Sequence, residues 1–440
     1  MSGKEYFHPP EQAVRERAVL MGTVLRGQER EEEEANLQEL AQLTRAAGAR
    51  VLHATIQERR APDVATFIGK GKVAELAELC REREADLIIF DNDLSPVQAR
   101  NLERATDTNV IDRTELILDI FALRARTRQA RLQVELAQLE YLAPRLRRMW
   151  EHLSRQEGGI GTRGPGETQL EVDRRRLGER MARLKRELAR VERVSETKAQ
   201  KRRREAFSVA MVGYTNVGKS SLLNALTAAE AHVADALFAT LDSTTRRMDL
   251  GGGDTVLLTD TVGFVRRLPH HLVESFKATL SEVREADLLL HVVDLANPDC
   301  YRQIEAVEEV LGDMDIDPES TLRVYNKCDA ADGVTASAPA NGSPALLVSA
   351  RTGEGLDDLR AAIRDRRREA FVETVIELAA GDGAVTGQIY REAEVRDVRY
   401  GDAGARYRVR LTPPSLERLL RKGARERSEL LEDWDEEAEA

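Results

Sequence analysis

Long apolar runs are missing from this chain of 440 residues. No stretch approaches the ~20 apolar residues that cross a bilayer as a helix, so no integral membrane segment is expected. The N-terminus, MSGKEYFHPPEQAVRERAVL, lacks the basic-then-apolar order of a secretory signal. Cysteine is scarce. Cys80, Cys300 and Cys328 are scattered, odd in number and not at metal-ligand spacing. That excludes a disulfide scaffold, and a reduced, cytoplasmic location is expected. Lysine is rare too, at ten residues, with arginine far in excess. An acidic surface poor in lysine suits a salt-rich cytoplasm; a GC-rich genome gives much of the same bias. No internal repeat is found, which excludes a solenoid.

What is present is enough apolar residue, 42%, for ordinary globular cores. The length suits about three domains. The net charge of −11 taken alone argues against nucleic acid, but its distribution argues the other way. Residues 113–204 hold 24 Lys+Arg against 13 Asp+Glu, a balance of +11, so the remainder carries −22. A basic segment inside an acidic protein suggests a nucleic-acid contact. A solvated helical hairpin with surplus charge is the alternative.

Residues 15–112, within an N-terminal domain of 1–112, alternate strand and helix signals. RAVLMGTVL, ARVLHATIQ, DLIIFDND and TNVIDR read as strands. EREEEEANLQELAQLTRAAG, GKGKVAELAELCREREA and SPVQARNLERATD read as helices, the last with Ser95 as N-cap and Pro96 at its first position. The alternation predicts an α/β domain with a mostly parallel sheet. Gly69, Lys70, Gly71 and Lys72 form a small basic turn, read either as a weak phosphate binder or as a helix start.

Residues 113–204 carry apolar positions at spacings of three and four over two long stretches. These predict a long antiparallel helical hairpin, with Pro144 kinking or breaking its first arm. Between the arms lies GGIGTRGPGETQLE, Gly158 to Glu171. A glycine-rich loop suggests a phosphate cradle, yet no strand precedes this one and no Gly-Lys-Ser closes it. It reads as the hairpin tip. Residues 205–368 return to strand and helix alternation, the pattern of a further α/β domain. SAPANGSP (337–344) is a surface loop by composition. Residues 369–428 form a small α+β module, with FVETVIELA, REAEVRDVRYG and ARYRVRLT as strands and PPSLERLLRKG as a helix. Residues 429–440 are an acidic tail expected to fray. The fold class is thus α/β and multidomain.

The chemistry lies in 205–368. FSVAMVGYTNVGKSSLLNAL is a buried strand, a G-x-x-x-x-G-K-S loop and a helix. Gly213 and Gly218 let backbone amides of the loop (Tyr214, Thr215, Asn216, Val217) point at phosphate oxygens. The helix start at Lys219, Ser220 and Ser221 offers its positive end to the same anion. Lys219 reaches the terminal phosphates and the Ser220 hydroxyl binds Mg2+. TVLLTDTVG ends an apolar strand at Asp260, which holds magnesium through water. Thr261, Val262 and Gly263 follow, and the Gly263 amide can sense the γ-phosphate. Lys219, Asp260 and Gly263 are therefore the candidate catalytic residues.

The base is read by RVYNKCD. Guanine presents two donors that one carboxylate, Asp329, can accept, and adenine would leave that acceptor unpaired. Asn326 would contact the other base edge, and the stem of Lys327, ahead of Cys328, would lie along the ring. LLVSARTGEG ends a strand at Ser349, and the Ala350 amide, ahead of Arg351, could donate to guanine O6. GTP, not ATP, is the expected ligand. A switch segment must also lend a hydroxyl to magnesium. In ALFATLDSTTRR the candidates are Thr240, Thr244 and Thr245, and Thr244 or Thr245 alternatively starts the strand TRRMDL.

GYTNVGKS, FATLD, DTVG, NKCD and SA, in this order, resemble the TrmE–Era–Obg–HflX group of GTPases. The resemblance to the HflX family is closest and covers nearly the whole chain. ATFIGKGKVAEL (65–76), IIFDNDLSPVQARNLE (88–103) and GGIGTRGPGETQLEVDRR look like that family's N-terminal domain and hairpin tip. The resemblance implies that Thr240, within Phe238, Ala239, Thr240, Leu241 and Asp242, is the switch threonine on magnesium. It implies a large ribosomal subunit partner, with rRNA touched by Gly158, Gly159, Arg163, Gly164, Pro165 and Gly166, and a role in dissociating stalled or idle ribosomes. Ribosome assembly, or another RNA or protein partner held by the hairpin, is the alternative. In related GTPases an asparagine at the position of Asn216 helps hold K+; a turn-forming asparagine is the other reading. Phe264 stands where many small GTPases have a water-orienting glutamine, so unaided hydrolysis should be slow. The chain is expected to act as a monomer.

Overall fold

The computed structural model describes residues 16–156, 165–205, 207–227, 238, 243–251, 254–267, 282–331, 345–379, 382–401, 404–431 and 434. The chain divides into two compact units. The first comprises 1–192, 234–242 and 262–279; the second comprises 193–233, 243–261 and 280–440.

In the first unit, β1 (Arg17–Leu25), β2 (Arg50–Arg59), β3 (Leu87–Phe90) and β4 (Asn109–Asp112) form a parallel sheet in the order β2-β1-β3-β4. The crossovers are α1 (Arg30–Ala46), α2 (Lys70–Arg83) and α3 (Pro96–Thr106). Parallel strands need helices on their faces, which is why β3, Leu-Ile-Ile-Phe, is buried throughout. Val19, Met21, Ile88 and Phe90 from the sheet pack against Leu76, Cys80 and Leu102 from the helices. Ser95 caps α3 as expected. Its hydroxyl accepts from the Gln98 amide while the Gln98 side chain accepts from the Ser95 amide. Gly69 to Lys72 are the start of α2, and Lys72 donates to Thr55 and Glu75, so this turn is a helix start.

The first arm of the expected hairpin is two helices, α4 (Arg113–Arg124) and α5 (Arg128–Gln156). The break has a local cause. The Thr127 hydroxyl accepts from the Ala130 amide and opens α5, while Ala125 turns extended. The periodicity runs on through this break, which is why it does not show in the pattern. Position 144 does not end α5, contrary to the break that Pro144 suggests. α6 (Pro165–Glu205) runs antiparallel to α5. Leu132 and Leu136 pack on Leu184, and Arg128–Glu187 (2.5 Å) and Arg180–Glu135 (2.6 Å) flank them. Gly158, Gly159, Arg163 and Gly164 lie outside the described residues. Pro165 and Gly166 open α6, so the tip is shorter than the glycine pattern suggests.

In the second unit, β5 (Phe207–Gly213), α7 (Lys219–Thr227), β6 (Thr244–Gly251), β7 (Asp254–Asp260), β8 (Leu288–Asp294), α8 (Cys300–Asp313), β9 (Leu322–Asn326), β10 (Leu346–Leu347) and α9 (Leu356–Glu369) follow in order. Their sheet runs β10-β9-β8-β5-β7-β6, parallel except for the β6–β7 hairpin. β5 sits centrally, and its carboxyl end delivers the phosphate loop to the mouth of the sheet, where α/β folds bind ligands. The 337–344 loop lies outside the described residues.

The C-terminal module is β11 (Val372–Ala379), α10 (Gly383–Glu392), β12 (Glu394–Gly401), β13 (Gly404–Leu411), α11 (Pro413–Leu420) and β14 (Arg425–Glu426), an antiparallel sheet ordered β12-β13-β11-β14. Sequence reading misses α10, which Asp382 caps, and starts β12 three residues early. In the tail, described at 429–431 and 434, one side chain is anchored. Trp434 is buried, its indole N–H donates to Asp397 (2.9 Å), and the Arg399 guanidinium lies over its ring (4.3 Å).

Candidate functional site

The loop from Gly213 to Ser220 is held in a conformation that its two outer glycines alone permit. Gly213 and Gly218 have φ of 154° and 91°. A Cβ at Gly213 would lie 2.3 Å from the Val292 carbonyl oxygen, and one at Gly218 would lie 2.4 Å from Asn326 Nδ2. Asn216, exposed at the crest, takes φ 63°. Tyr214, Thr215 and Val217 are buried, and the Thr215 hydroxyl has no partner among the described residues. Lys219 folds back into the loop, with its ammonium donating to the carbonyls of Gly213 (3.0 Å) and Tyr214 (2.8 Å). Burial pulls its pKa down to about 8, and only the charge of Asp260 opposes the shift. A desolvated ammonium bonded to neutral carbonyls lacks a close counter-charge, and an incoming phosphate would supply one.

Beside the loop, the Ser220 hydroxyl donates to Asp260 Oδ2 at 2.5 Å. Asp260 ends β7 and is 1% exposed. A hydroxyl and a carboxylate brought together at the phosphate loop are the hard-oxygen pair that suits Mg2+. Thr261 is spent on structure, with its hydroxyl donating to the Met211 carbonyl (2.7 Å). Ser221 lies half-buried on α7.

The strand β9 delivers Asn326 to the same end of the sheet. Its amide nitrogen donates to the Val217 carbonyl (2.8 Å), and its carbonyl accepts from the Ala350 amide (3.1 Å). Lys327, at φ 64°, donates to the Asn216 carbonyl (2.9 Å) and to Asp294 (2.6 Å). Asp329 accepts from the Ser349 hydroxyl (2.6 Å) and pairs with Arg351. These partners, the hydroxyl first, hold its carboxyl below the usual carboxylate range. An ionised acceptor is therefore presented where a two-donor base edge would dock. Burial raises the thiol of Cys328 between them.

Three family models match in succession: a GTP-binding GTPase N-terminal region (residues 34–122), a GTP-binding GTPase middle region (124–202) and a 50S ribosome-binding GTPase (208–327). The GTPase HflX of Magnetococcus marinus is 45% identical over 89% of this chain and 91% of its own. That of Caldanaerobacter subterraneus subsp. tengcongensis is 47% identical over 82% of each, and that of Escherichia coli K12 is 44% identical over 88% and 92%. The chain belongs to the HflX family of GTPases. It binds GTP and hydrolyses it to GDP and phosphate.

In this HflX GTPase the Ala350 amide, expected on guanine O6, donates to Asn326. Asn326, expected on a base edge, joins the phosphate loop to the Ser349–Ala350 turn, which uses one of the two protons on its amide nitrogen. Thr244 and Thr245 begin β6, opposite Asp260 and Thr259, which leaves them in the hairpin ladder. Phe238 stacks edge-on against Phe121 at 4.7 Å, while Ala239, Thr240, Leu241 and Asp242 lie outside the described residues. Val262 is half-buried, and Gly263 and Phe264 are buried.

Sequence reasoning misses Asp294, the carboxylate that holds Lys327; its place at the end of β8 is the signal that could have found it. It also misses His291 on β8. That imidazole is fully buried, and desolvation, aided by the charges of Arg323 and Lys219, lowers its pKa to about 3. Among the described residues no helix is long and apolar enough to cross a membrane.

Proposed function

We propose that this GTPase is a ribosome-directed switch. Its GTP state associates with the large ribosomal subunit, acts there to dissociate stalled or idle ribosomes, and hydrolysis releases it. One observation carries the reading. α6 presents Arg174, Arg175, Arg176, Arg180, Arg183, Arg186 and Arg190 to solvent on an arm of charge +11, in a chain whose remainder is at −22. Such an arm binds RNA phosphates through counterion release, while the acidic remainder restricts contact to the arm. The match of residues 208–327 to a 50S ribosome-binding GTPase family supports the same partner.

Within the switch, the loop amides and Lys219 bind the phosphates, and Asp329 selects guanine. Ser220 and Thr240 would hold Mg2+ directly, with Asp260 holding it through water. Mg2+ bound by these residues would supply charge neutralisation for the transferring phosphoryl group. The Gly263 amide serves the γ-phosphate, and Asn216 holds K+. Hydrolysis should accordingly run faster in K+ than in Na+. Phe264 can neither orient nor deprotonate water, so fast turnover requires the partner. The chain acts as a cytoplasmic monomer in this reading. Co-sedimentation with separated ribosomal subunits tests it. Binding to the large subunit should be strong with a non-hydrolysable GTP analogue and weak with GDP; equal or absent binding in both would sink it.

A further inference from the structure

Asp294 ends β8 beside the base-reading segment without belonging to its pattern. It holds one end of Lys327. The backbone of Lys327 takes φ 64°, a left-handed conformation that a non-glycine residue keeps only where its surroundings impose it. The ammonium donates to the Asn216 carbonyl at the crest of the phosphate loop (2.9 Å) and to Asp294 Oδ2 (2.6 Å). The carbonyl is neutral, so Asp294 supplies the counter-charge. Asp294 is itself fixed. Its Oδ1 accepts from the Ala296 amide (3.1 Å), and its carbonyl accepts from the Asn297 amide (3.3 Å). The Leu295 amide donates to the Asn326 carbonyl (3.0 Å), and Asp294 stands opposite Asn326 in the β8–β9 ladder. The carboxylate is 14% exposed, against 35% for the side chain it holds.

A lysine with a free ammonium samples many rotamers, and ordering its flexible stem costs entropy. Bonding the ammonium to a carboxylate that cannot move draws the four-carbon stem out between the end of β9 and the loop crest. We propose that Asp294 is a positioning residue for nucleotide binding. It keeps the Lys327 ammonium on the loop crest, so the stem stands as a wall for the base before the nucleotide arrives. This rests on the reading that the stem of Lys327 lies along the base ring. Asp294 acts through Lys327, without contact to nucleotide.

The test is stopped-flow association and dissociation of a fluorescent GDP with the full chain, for Asp294→Ala, Asp294→Asn, Lys327→Met and the double variant Asp294→Ala/Lys327→Met. Asp294→Ala should speed dissociation about tenfold, the loss of one charge-assisted hydrogen bond. Association should stay within about twofold, because the phosphate loop is still formed; damage to the fold would slow it as well. Asp294→Asn, which keeps the shape and loses the charge, should lie between wild type and Asp294→Ala. Methionine at 327 keeps an apolar stem without an ammonium, so in that background Asp294→Ala should change dissociation by less than about twofold. Unchanged dissociation in Asp294→Ala, an equal fall in its association, or independent effects in the double variant would each overturn the assignment. Lys327→Met separates the two readings. If it releases GDP at the wild-type rate, the role of Lys327 fails; if it releases GDP fast while Asp294→Ala does not, the role of Asp294 fails alone.

Discussion

The Asn326 side chain donates to the Val217 carbonyl at 2.8 Å, and this bond ties the base-reading strand end to the phosphate loop. Both partners are buried. Asn326 therefore acts on affinity through loop geometry. Asn326→Ala should weaken GDP by about tenfold to a hundredfold, the loss of two buried hydrogen bonds at ~1 kcal/mol or more each. Equilibrium titration checks this, and an unchanged GDP affinity would mean that the phosphate loop keeps its shape without Asn326.

Asp329 should behave in the opposite way. Its carboxylate is ionised and held by Ser349 and Arg351, so it acts as an acceptor. Asp329→Asn offers a donor in its place. GTP affinity should fall about a hundredfold or more, and xanthosine triphosphate, with a 2-oxo group, should gain. Competition between the two nucleotides on the variant reads the change directly; an unaltered preference for GTP would mean that another group reads the base.

His291 predicts a limb in the pH dependence of stability. Its imidazole is neutral in the fold, with a pKa near 3 against 6.5 for an exposed histidine. The unfolded chain takes up this proton below pH 6.5 and the folded chain does not. Stability is therefore full above that pH and falls as pH drops toward 3, at about 1.4 kcal/mol per unit. Between pH 6.5 and 5 that amounts to about 2 kcal/mol. Urea unfolding of wild type and His291→Gln across this range should show a shallower acid limb in the variant, and equal slopes would refute the assignment.

The phosphate loop, the Asp260 strand end and the Asn326–Asp329 segment are legible in the sequence because each is a short contiguous pattern whose residue types have one mechanical use. What escapes is contact between distant positions. Nothing near Asn326 says that its amide meets Val217, and nothing near Arg267 points to Asp91, 176 residues away. The parallel N-terminal sheet shows through its alternation of strands and helices. The break before Arg128 does not, because the apolar spacing runs through it. Trp434 makes a further contact between distant positions, its indole meeting Asp397, 37 residues away.

The hairpin yields the last prediction. Residues 158–164 lie outside the described residues, but the arms that carry them are built, with Leu132, Leu136 and Leu184 packed between α5 and α6. Deleting residues 158–166 should spare GDP affinity and unaided hydrolysis while impairing action on ribosomes. A charge test isolates the electrostatic part. Arg174, Arg175 and Arg176 are exposed on α6, so their joint replacement by glutamate should not disturb the leucine seam. If they contact rRNA phosphates, large-subunit affinity should drop and its logarithmic dependence on salt should flatten by about one unit per lost contact. Affinity that drops with an unchanged salt slope would mean that the arm is held by shape, and a protein surface would replace RNA as its partner.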